Sequence, residues 1–346
     1  MKPESAAPQP ARDGPDADVV VRSRARIARN VAGLPFVGRA TDMQRQEVMH
    51  MVTRVPPGTA FPGGLTWVNV ARTSPLERQL LVERHLVSRH FAESTVPRTV
   101  GIDRDESLSV MVNEEDHLRI QTILPGSRLR EAFERARAFD LAAESVIDFA
   151  FSSRWGYLTA CPTNVGCGVR LGVMLHLPGL RFSGEMERVK RAAKDMHLAI
   201  RGYYGEGTEA LGNFYQVSNQ LTLGLGEDEL LRRFEQETLP QLVDYERSAR
   251  RALAESNPML LEDKVHRAVA TLRAARLLGA EEATKLLANV RLGICMDLLP
   301  DIALDLVQRL LLQVQPAHLA RMDPAAADEE KGRSARAQLV RRALRP

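Results

Sequence analysis

The spacing of apolar residues changes character once along this chain, near residue 226, and that change limits the folds open to it. Before it, short segments alternate between apolar and polar residues. Period two is what a half-buried strand requires, because successive strand side chains point to opposite faces. VVVRSRARIARN (19–30), LTWVNVAR (65–72) and LSVMVNEEDHLRIQTIL (108–124) are of this kind, the last as two strands around an acidic elbow. Helical spacing interrupts them in SRLREAFERARAFDLAAESVI (127–147), with Leu129, Phe133, Ala136 and Leu141 on one side, and in SGEMERVKRAAKDMHLAI (183–200), with Ser183 as N-cap. After residue 226 only helical spacing remains, over 226–255, 259–277, 281–293, 301–314 and 325–344, broken by Pro, Gly or Asn-Pro. The expected fold is α+β: a mainly antiparallel sheet flanked by helices over 19–255, then an all-α domain over 256–346. Residues 1–18, rich in Pro, Ala and Asp, read as a disordered tail.

Several functional classes drop out. No apolar run approaches the ~20 residues of a membrane span, and the N-terminus lacks the apolar core of a signal peptide. Cysteines at 161, 167 and 295 make neither a disulfide framework nor a paired zinc motif, so a reducing, cytoplasmic location is expected. A net charge of +3 without a basic run gives no reason to expect nucleic acid. Neither G-x-x-x-x-G-K-[ST] nor G-x-G-x-x-G occurs, so a bound nucleotide would need another means of neutralising its phosphates. Arginine is the alternative, since its planar fork meets phosphate oxygens bidentately. Lys supplies only six of the 47 basic residues here, so a single arginine signals little by itself.

Four segments carry chemistry. In SRAR (23–26), Arg24 and Arg26 project from one face of a strand, as a polyphosphate would need. NEEDHLR (113–119) sets three carboxylates beside a His and an Arg, with an apolar strand driving the start of the cluster into the interior. In CPTNVGCGVR (161–170), Thr163 can offer a hydroxyl to the Cys161 sulfur. RGYYGEGTEALG (201–212) is a glycine-studded loop able to close over a ligand, carrying Glu206 and Glu209 beside Arg201. Taken singly, each has a plain structural reading: a solvated strand edge, an acidic turn, a buried thiol, a surface loop.

In this order, S-R-x-R, N-E-E-D-H-L-R, C-P-T-N-x-G and R-G-x-x-G-E-G-T-E resemble the guanidino-kinase (phosphagen kinase) superfamily, most closely its bacterial protein-arginine kinases, over about residues 19–255. The resemblance implies a guanidino-kinase catalytic domain that transfers the γ-phosphoryl group of ATP to a guanidinium, with Mg²⁺. It assigns the phosphates to Arg24, Arg26, Arg119, Arg170 and Arg201, and a nucleotide contact to His85. The flanking positions Ser23, Ala25, Ile27, Leu171, Gly172, Val173, Met174, Gly202, Tyr203, Tyr204, Gly205 and Glu206 fall within the nucleotide-binding segments. Glu115 and Glu209 match the carboxylates that hold and deprotonate the guanidinium, Cys161 matches the reactive cysteine, and Glu114 a residue reaching Mg²⁺ through water. The chemistry fits: a guanidinium with pKa above ~12 is a poor nucleophile, so a base must take its proton as the N–P bond forms.

Phosphagen kinases carry a helical domain before S-R-x-R whose loop covers a small substrate. Only 22 residues precede Ser23 here, and the all-α region has its counterpart in the protein-arginine kinases. Arginine within a protein is therefore the expected substrate, with free arginine or another small guanidine as the alternative, and a catalytically dead adaptor as a third reading. The resemblance also brings a role in stress response and protein quality control, with a Clp-type unfoldase, a heat-shock repressor, a zinc-binding activator and a homodimer as expected partners. KGRSARAQLVRR (331–342) departs from the family's phosphoarginine-binding R-D-x-x-R-A pattern, keeping Arg336 and Ala337 but placing Gly332 and Arg333 where the R-D pair belongs.

Overall fold

The computed structural model describes residues 14–56, 61, 63–202 and 210–345. Its strands are β1 (Val20–Arg29), β2 (Thr66–Asn69), β3 (Thr99–Ile102), β4 (Leu108–Val112), β5 (Leu118–Pro125), the short hairpin β6 (Phe151–Ser152) and β7 (Gly156–Tyr157), β8 (Val169–His176), β9 (Leu198–Arg201) and β10 (Phe214–Asn219). Eight of them form one sheet in the order β2-β3-β4-β5-β1-β8-β10-β9, every neighbouring pair antiparallel. The helices among them are α1 (Asp42–Thr53), α2 (Pro75–Glu83), α3 (Arg89–Glu93), α4 (Leu129–Glu144), α5 (Pro178–Phe182), α6 (Met186–Asp195), α7 (Glu227–Arg233) and α8 (Leu239–Ser256). Beyond Asn257 follow α9 (Pro258–Ala274), α10 (Ala280–Cys295), α11 (Leu304–Gln313), α12 (Pro316–Met322) and α13 (Glu329–Ala343). The expected α+β catalytic region and helical C-terminal region are both present.

Period two in β1 separates the two faces of the sheet. Ser23, Ala25 and Ile27 are fully buried on one side, while Arg22, Arg24 and Arg26 are half-buried on the other. The buried face is covered by α4 through Leu129, Ala132, Phe133, Ala136, Phe139 and Ala143. Leu141 does not join this stripe and is 54% exposed, because five residues beyond Ala136 lie about 140° further round the helix. Ser183 is likewise not an N-cap: it ends α5, and Gly184 at φ +79° turns the chain before α6 begins at Met186. The helical region has a second core, built from residues such as Val265, Leu272, Leu287, Val307 and Val340.

The expectation of disorder through residue 18 is corrected for residues 14–18. Gly14 packs against the Pro125–Gly126 turn, and Arg247 of α8 pairs with Asp16 at 2.9 Å and Asp18 at 2.7 Å. Arg250 and Arg291 donate to the Asp18 carbonyl, and Arg291 also donates to Ala17. Composition reports that this stretch has no core of its own, and partners more than 200 residues away are invisible to it. Arg336, kept from the R-D-x-x-R-A pattern, is buried and donates to the carbonyls of Val314, Leu278 and Gly332, so it ties α13 to its neighbours.

Between β8 and β10 the backbones approach too closely for a side chain at Gly172. A Cβ there would lie 2.8 Å from the Val217 carbonyl oxygen and 3.0 Å from Ser218 Cβ. Gly172→Ala is expected to lower the unfolding free energy by about 1–3 kcal/mol, read as a lower urea midpoint at unchanged m-value. A midpoint equal to the parent's would show that β10 yields without cost.

Candidate active site

Register carries the polar face of β1 onto its neighbours. Arg26 stands opposite Gln121 of β5 and Arg170 of β8, Arg24 stands opposite Ile123 and Gly172, and Ala28 faces Arg119. Arg22, Arg24, Arg26, Arg119 and Arg170 therefore share one face. Two clefts open there. The first, about 400 Å³, is lined by Arg22, Arg24, Arg26, His85, Gly172 and Met174, with Gln216 and Ser218 of β10 at its side. The second, about 380 Å³, is lined by Arg26, Glu114, Glu115, Asp116, Arg119, Asn164 and Arg170. Arg26 borders both.

Gathering cations in a partly desolvated place is costly, and the electrostatics record it. Burial, then the charges of Arg119 and Arg22, pull the Arg24 guanidinium down to about 9. Burial, then Arg24, Arg119, Arg170 and Arg201, push Arg26 well below the usual arginine range. Arg24 is oriented by the Gln121 side-chain oxygen, 2.7 Å from its Nε. The Nε of Arg26 is buried and has no hydrogen-bond partner among the described residues. Guanidinium groups keep their proton in proteins, so their mutual repulsion persists, and an anion with several oxygens would relieve it. His85, at φ +60°, closes the far wall of the first cleft; burial, then Arg22, Arg24 and Arg89, hold its ring well below the usual histidine range, hence neutral.

The acidic elbow splits its three carboxylates. Glu114 is buried, and although burial opposes its charge, Arg119 at 2.7 Å and hydrogen bonds from Ser88 and the Glu115 N–H hold its carboxyl down at about 2. Glu115 is exposed at the mouth of the second cleft. Asp116 turns inward, where burial raises its pKa, and accepts hydrogen bonds from Asn30 at 2.6 Å and the Ala160 N–H at 2.7 Å. That last bond fixes the loop leading to Cys161. The half-buried Cys161 has its sulfur 3.0 Å from the Thr163 hydroxyl, and Thr222 holds the following turn through the carbonyls of Thr163 and Val165.

The structure thus gathers Arg24, Arg26, His85, Arg119, Arg170, Gly172 and Met174 around the clefts, with Glu114 and Glu115 beside them. Arg201 belongs to the edge strand β9 opposite Gln216, with Gly202 following it, and its charge reaches Arg26. Ser23, Ala25, Ile27, Leu171 and Val173 turn their side chains away from the clefts. Odd-numbered positions of β1 and β8 face the core, so only their backbone can meet a ligand, as Ile27 and Val173 do at the cleft borders. Ser23 spends its hydroxyl on Gly126 and Arg128. Tyr203, Tyr204, Gly205, Glu206 and Glu209 lie outside the described residues. Sequence reasoning missed Arg22, Gln121, Asp116, Asn164 and Gln216. Arg22 was within reach of the same period-two argument; the others depend on register and loop packing.

Comparison with known proteins places these features. Residues 48–249 match the family model for the ATP:guanido phosphotransferase C-terminal catalytic domain, and residues 258–346 match the protein-arginine kinase McsB C-terminal domain. The protein-arginine kinase of Pelotomaculum thermopropionicum is 40% identical over 333 residues, covering 95% of this chain and 93% of the relative. That of Brevibacillus brevis is 42% identical over 340 residues, covering 96% and 94%. Among solved structures, the duplicated taurocyamine kinase of Schistosoma mansoni has a TM-score of 0.63 at 25% identity, covering 72% of this chain and 35% of that one. Lombricine kinase, at 24% identity and TM-score 0.59 over 69% and 68% of the two chains, shares the fold.

Because the Glu114 carboxyl is depressed from 4.5 to about 2, its contribution to stability is complete above pH 4.5 and is lost as pH falls toward 2. At about 1.4 kcal/mol per unit the effect is about 3 kcal/mol. Glu114→Gln is expected to flatten the acid limb of the stability-versus-pH curve over that window; an unchanged limb would remove Glu114 as its source.

Proposed function

This chain belongs to the ATP:guanido phosphotransferase family and is a protein-arginine kinase, and on that premise we propose how its two clefts divide the transfer of the ATP γ-phosphoryl group to an arginine side chain. The first cleft takes the nucleotide and the second the substrate guanidinium. The observation that carries this reading is Arg26, which borders both clefts and has a buried Nε without a partner among the described residues. A γ-phosphoryl group at Arg26 would face the base of one cleft and the carboxylates of the other.

In this reading Arg24, Arg26, Arg119 and Arg170 neutralise the phosphates, with Arg201 approaching from β9. Neutral His85 offers a ring to the nucleotide without adding to the cationic crowd. Glu115 at the cleft mouth, with Glu209 assigned by resemblance, clamps the guanidinium and takes one proton from it. The guanidinium nitrogen forms its bond to the γ-phosphorus as the bond to the β,γ-bridging oxygen breaks, and ADP leaves with that oxygen. Transfer is direct. Cys161, assigned to the guanidinium site by resemblance, acts electrostatically there and does not attack phosphorus.

Mg²⁺, as the family resemblance implies, would come with the nucleotide phosphates. Glu114 fits a contact to it through water, being ionised but already hydrogen-bonded on both oxygens. When bound, Mg²⁺ supplies further neutralisation of phosphate charge. Family resemblance extends the proposal to cytoplasmic stress response with a Clp-type unfoldase, a heat-shock repressor, a zinc-binding activator and a homodimer. No helix of the described residues is long and apolar enough to cross a membrane.

Incubation with ATP and an arginine-bearing protein, followed by mass spectrometry under non-acidic conditions, should place phosphoryl mass on arginine; modification confined to Ser, Thr or Tyr would sink the reading. Cys161→Ala and Glu115→Gln should each lose ADP production while folding normally. Arg26→Met should abolish transfer yet raise the thermal midpoint of the ligand-free protein, since it removes a half-buried cation repelled by its neighbours. A lowered midpoint would show that Arg26 is structural.

A further inference from the structure

Besides its apolar core, which includes the cleft residue Met174, the helical region reaches the nucleotide cleft through a buried polar cluster. Glu83, the last residue of α2, is 4% exposed, and both its oxygens are taken by the start of α12. Oε1 accepts the Ala317 N–H at 2.8 Å, while Oε2 accepts the His318 N–H at 3.0 Å and lies 2.7 Å from His318 Nδ1. Arg84, the next residue, donates from Nε to His318 Nε2 at 3.3 Å and from Nη1 to Glu106 at 2.7 Å. The two bonds fix the imidazole tautomer, with Nδ1 donating to Glu83 and Nε2 accepting from Arg84. Consecutive residues of the catalytic region thus hold both nitrogens of one buried histidine of the helical region. Arg336 of α13 adds a favourable charge toward Glu83.

The residue after this pair is His85, which lines the first cleft. Its φ of +60° is one that a non-glycine residue keeps only where its surroundings over-determine it. The end of α2 does so first: the His85 N–H bonds the Val82 carbonyl and the Leu86 N–H the Leu81 carbonyl, both at 2.9 Å. Two contacts reinforce that cap: Glu83 and Arg84 are pinned to α12 on one side, and on the other the His85 carbonyl accepts a hydrogen bond from Gln121 Nε2 at 2.8 Å. Gln121 is the residue whose oxygen orients Arg24. The line from His318 through Glu83 and Arg84 to His85, Gln121 and Arg24 is therefore continuous, each link a hydrogen bond or a peptide bond.

We propose that the His318 clamp makes the C-terminal helical region a positioning element for ATP: by fixing the Glu83–His85 turn, it sets the His85 wall of the nucleotide cleft and the orientation of Arg24. His318 touches no substrate and acts through the turn. The inference rests on assigning the first cleft to the nucleotide. It requires that loosening the clamp weaken ATP binding selectively, because Glu115 and Asn164, which line the guanidinium cleft, are not touched by the clamp.

The test uses the full-length protein with steady-state kinetics in both substrates and ADP binding at equilibrium. His318→Leu keeps most of the buried volume and removes both ring hydrogen bonds. It should raise KM for ATP and weaken ADP binding about five- to tenfold, as expected for loss of buried charge-assisted bonds, with kcat and KM for the arginine substrate within about twofold. His318→Asn, whose amide can still donate to Glu83, should restore most of the loss. Arg84→Leu should act in the same direction and decides the matter should His318→Leu fail to fold. Leu287→Ala, in the core of α10 and away from the clamp, should lower the thermal midpoint and leave KM for ATP alone. The inference is overturned if the clamp variants lower the midpoint without moving KM for ATP, or if kcat and both KM values change together. Arg24→Ala separates the two levels: unchanged ATP affinity in that variant refutes the cleft assignment itself, whereas lost affinity there with an unmoved His318→Leu refutes only the clamp.

Discussion

Arg24 and Arg26 project from the same face of the central strand, and two neighbouring strands add Arg119 and Arg170 to that face. Like charges held together by backbone register cannot relax by moving apart, as surface side chains would. Burial makes it worse, since a desolvated cation has little water to screen it. Much of the surrounding structure serves to keep this arrangement tolerable. Glu114 neutralises Arg119, Gln121 offers its oxygen to Arg24, and His85 stays neutral between them. The Nε of Arg26, without a hydrogen-bond partner among the described residues, sits where the two clefts meet. A P-loop meets phosphate with backbone N–H groups and one lysine; here the neutralising charge is distributed over strands whose pairing fixes the spacing.

A site held by register needs a stiff frame, and the opposite face of the sheet supplies it. Ser23, Ala25 and Ile27 are fully buried beneath α4, and further along the strand the buried Arg29 pairs with Asp140 of that helix at 2.7 Å. The frame is also braced at the start of β1, from the last helix of the catalytic region and from the helical region beyond it. Arg250 of α8 and Arg291 of α10 converge on the Asp18 carbonyl beside the start of β1, and Arg250 is itself held by the fully buried Glu246, which also accepts the Gly179 and Leu180 N–H groups. The helical region is therefore attached at two places that matter: the beginning of the arginine-bearing strand and the turn that carries His85.

Much of this was legible from residue order alone. The alternation in 19–30 placed Arg24 and Arg26 on one face, and the apolar run 108–112 predicted that the start of the acidic elbow would be buried, as Glu114 is. The same alternation, followed strictly, turns the Ser23, Ala25 and Leu171 side chains to the core and adds Arg22 to the polar face. Motif matching took in whole segments where a strand offers a ligand only every second residue. The disordered reading of residues 14–18 failed for a different reason. A segment without large apolar residues can still be ordered when arginines from distant helices supply its partners.

The sequence by itself determined the alternation that makes β1 two-faced, the helical character after residue 226, and the set of cations and carboxylates available for chemistry. These are local properties, written in spacing and side-chain type. Only the tertiary structure decided which of them meet. Antiparallel register set Arg170 and Gln121 opposite Arg26, the inward turn of Asp116 anchored the loop of Cys161, and the docking of α12 on α2 brought His318 to the turn that ends in His85. Each of those contacts joins residues tens to hundreds of positions apart. Their pairing follows from how the sheet and the helical region bury their apolar faces, which no local pattern encodes.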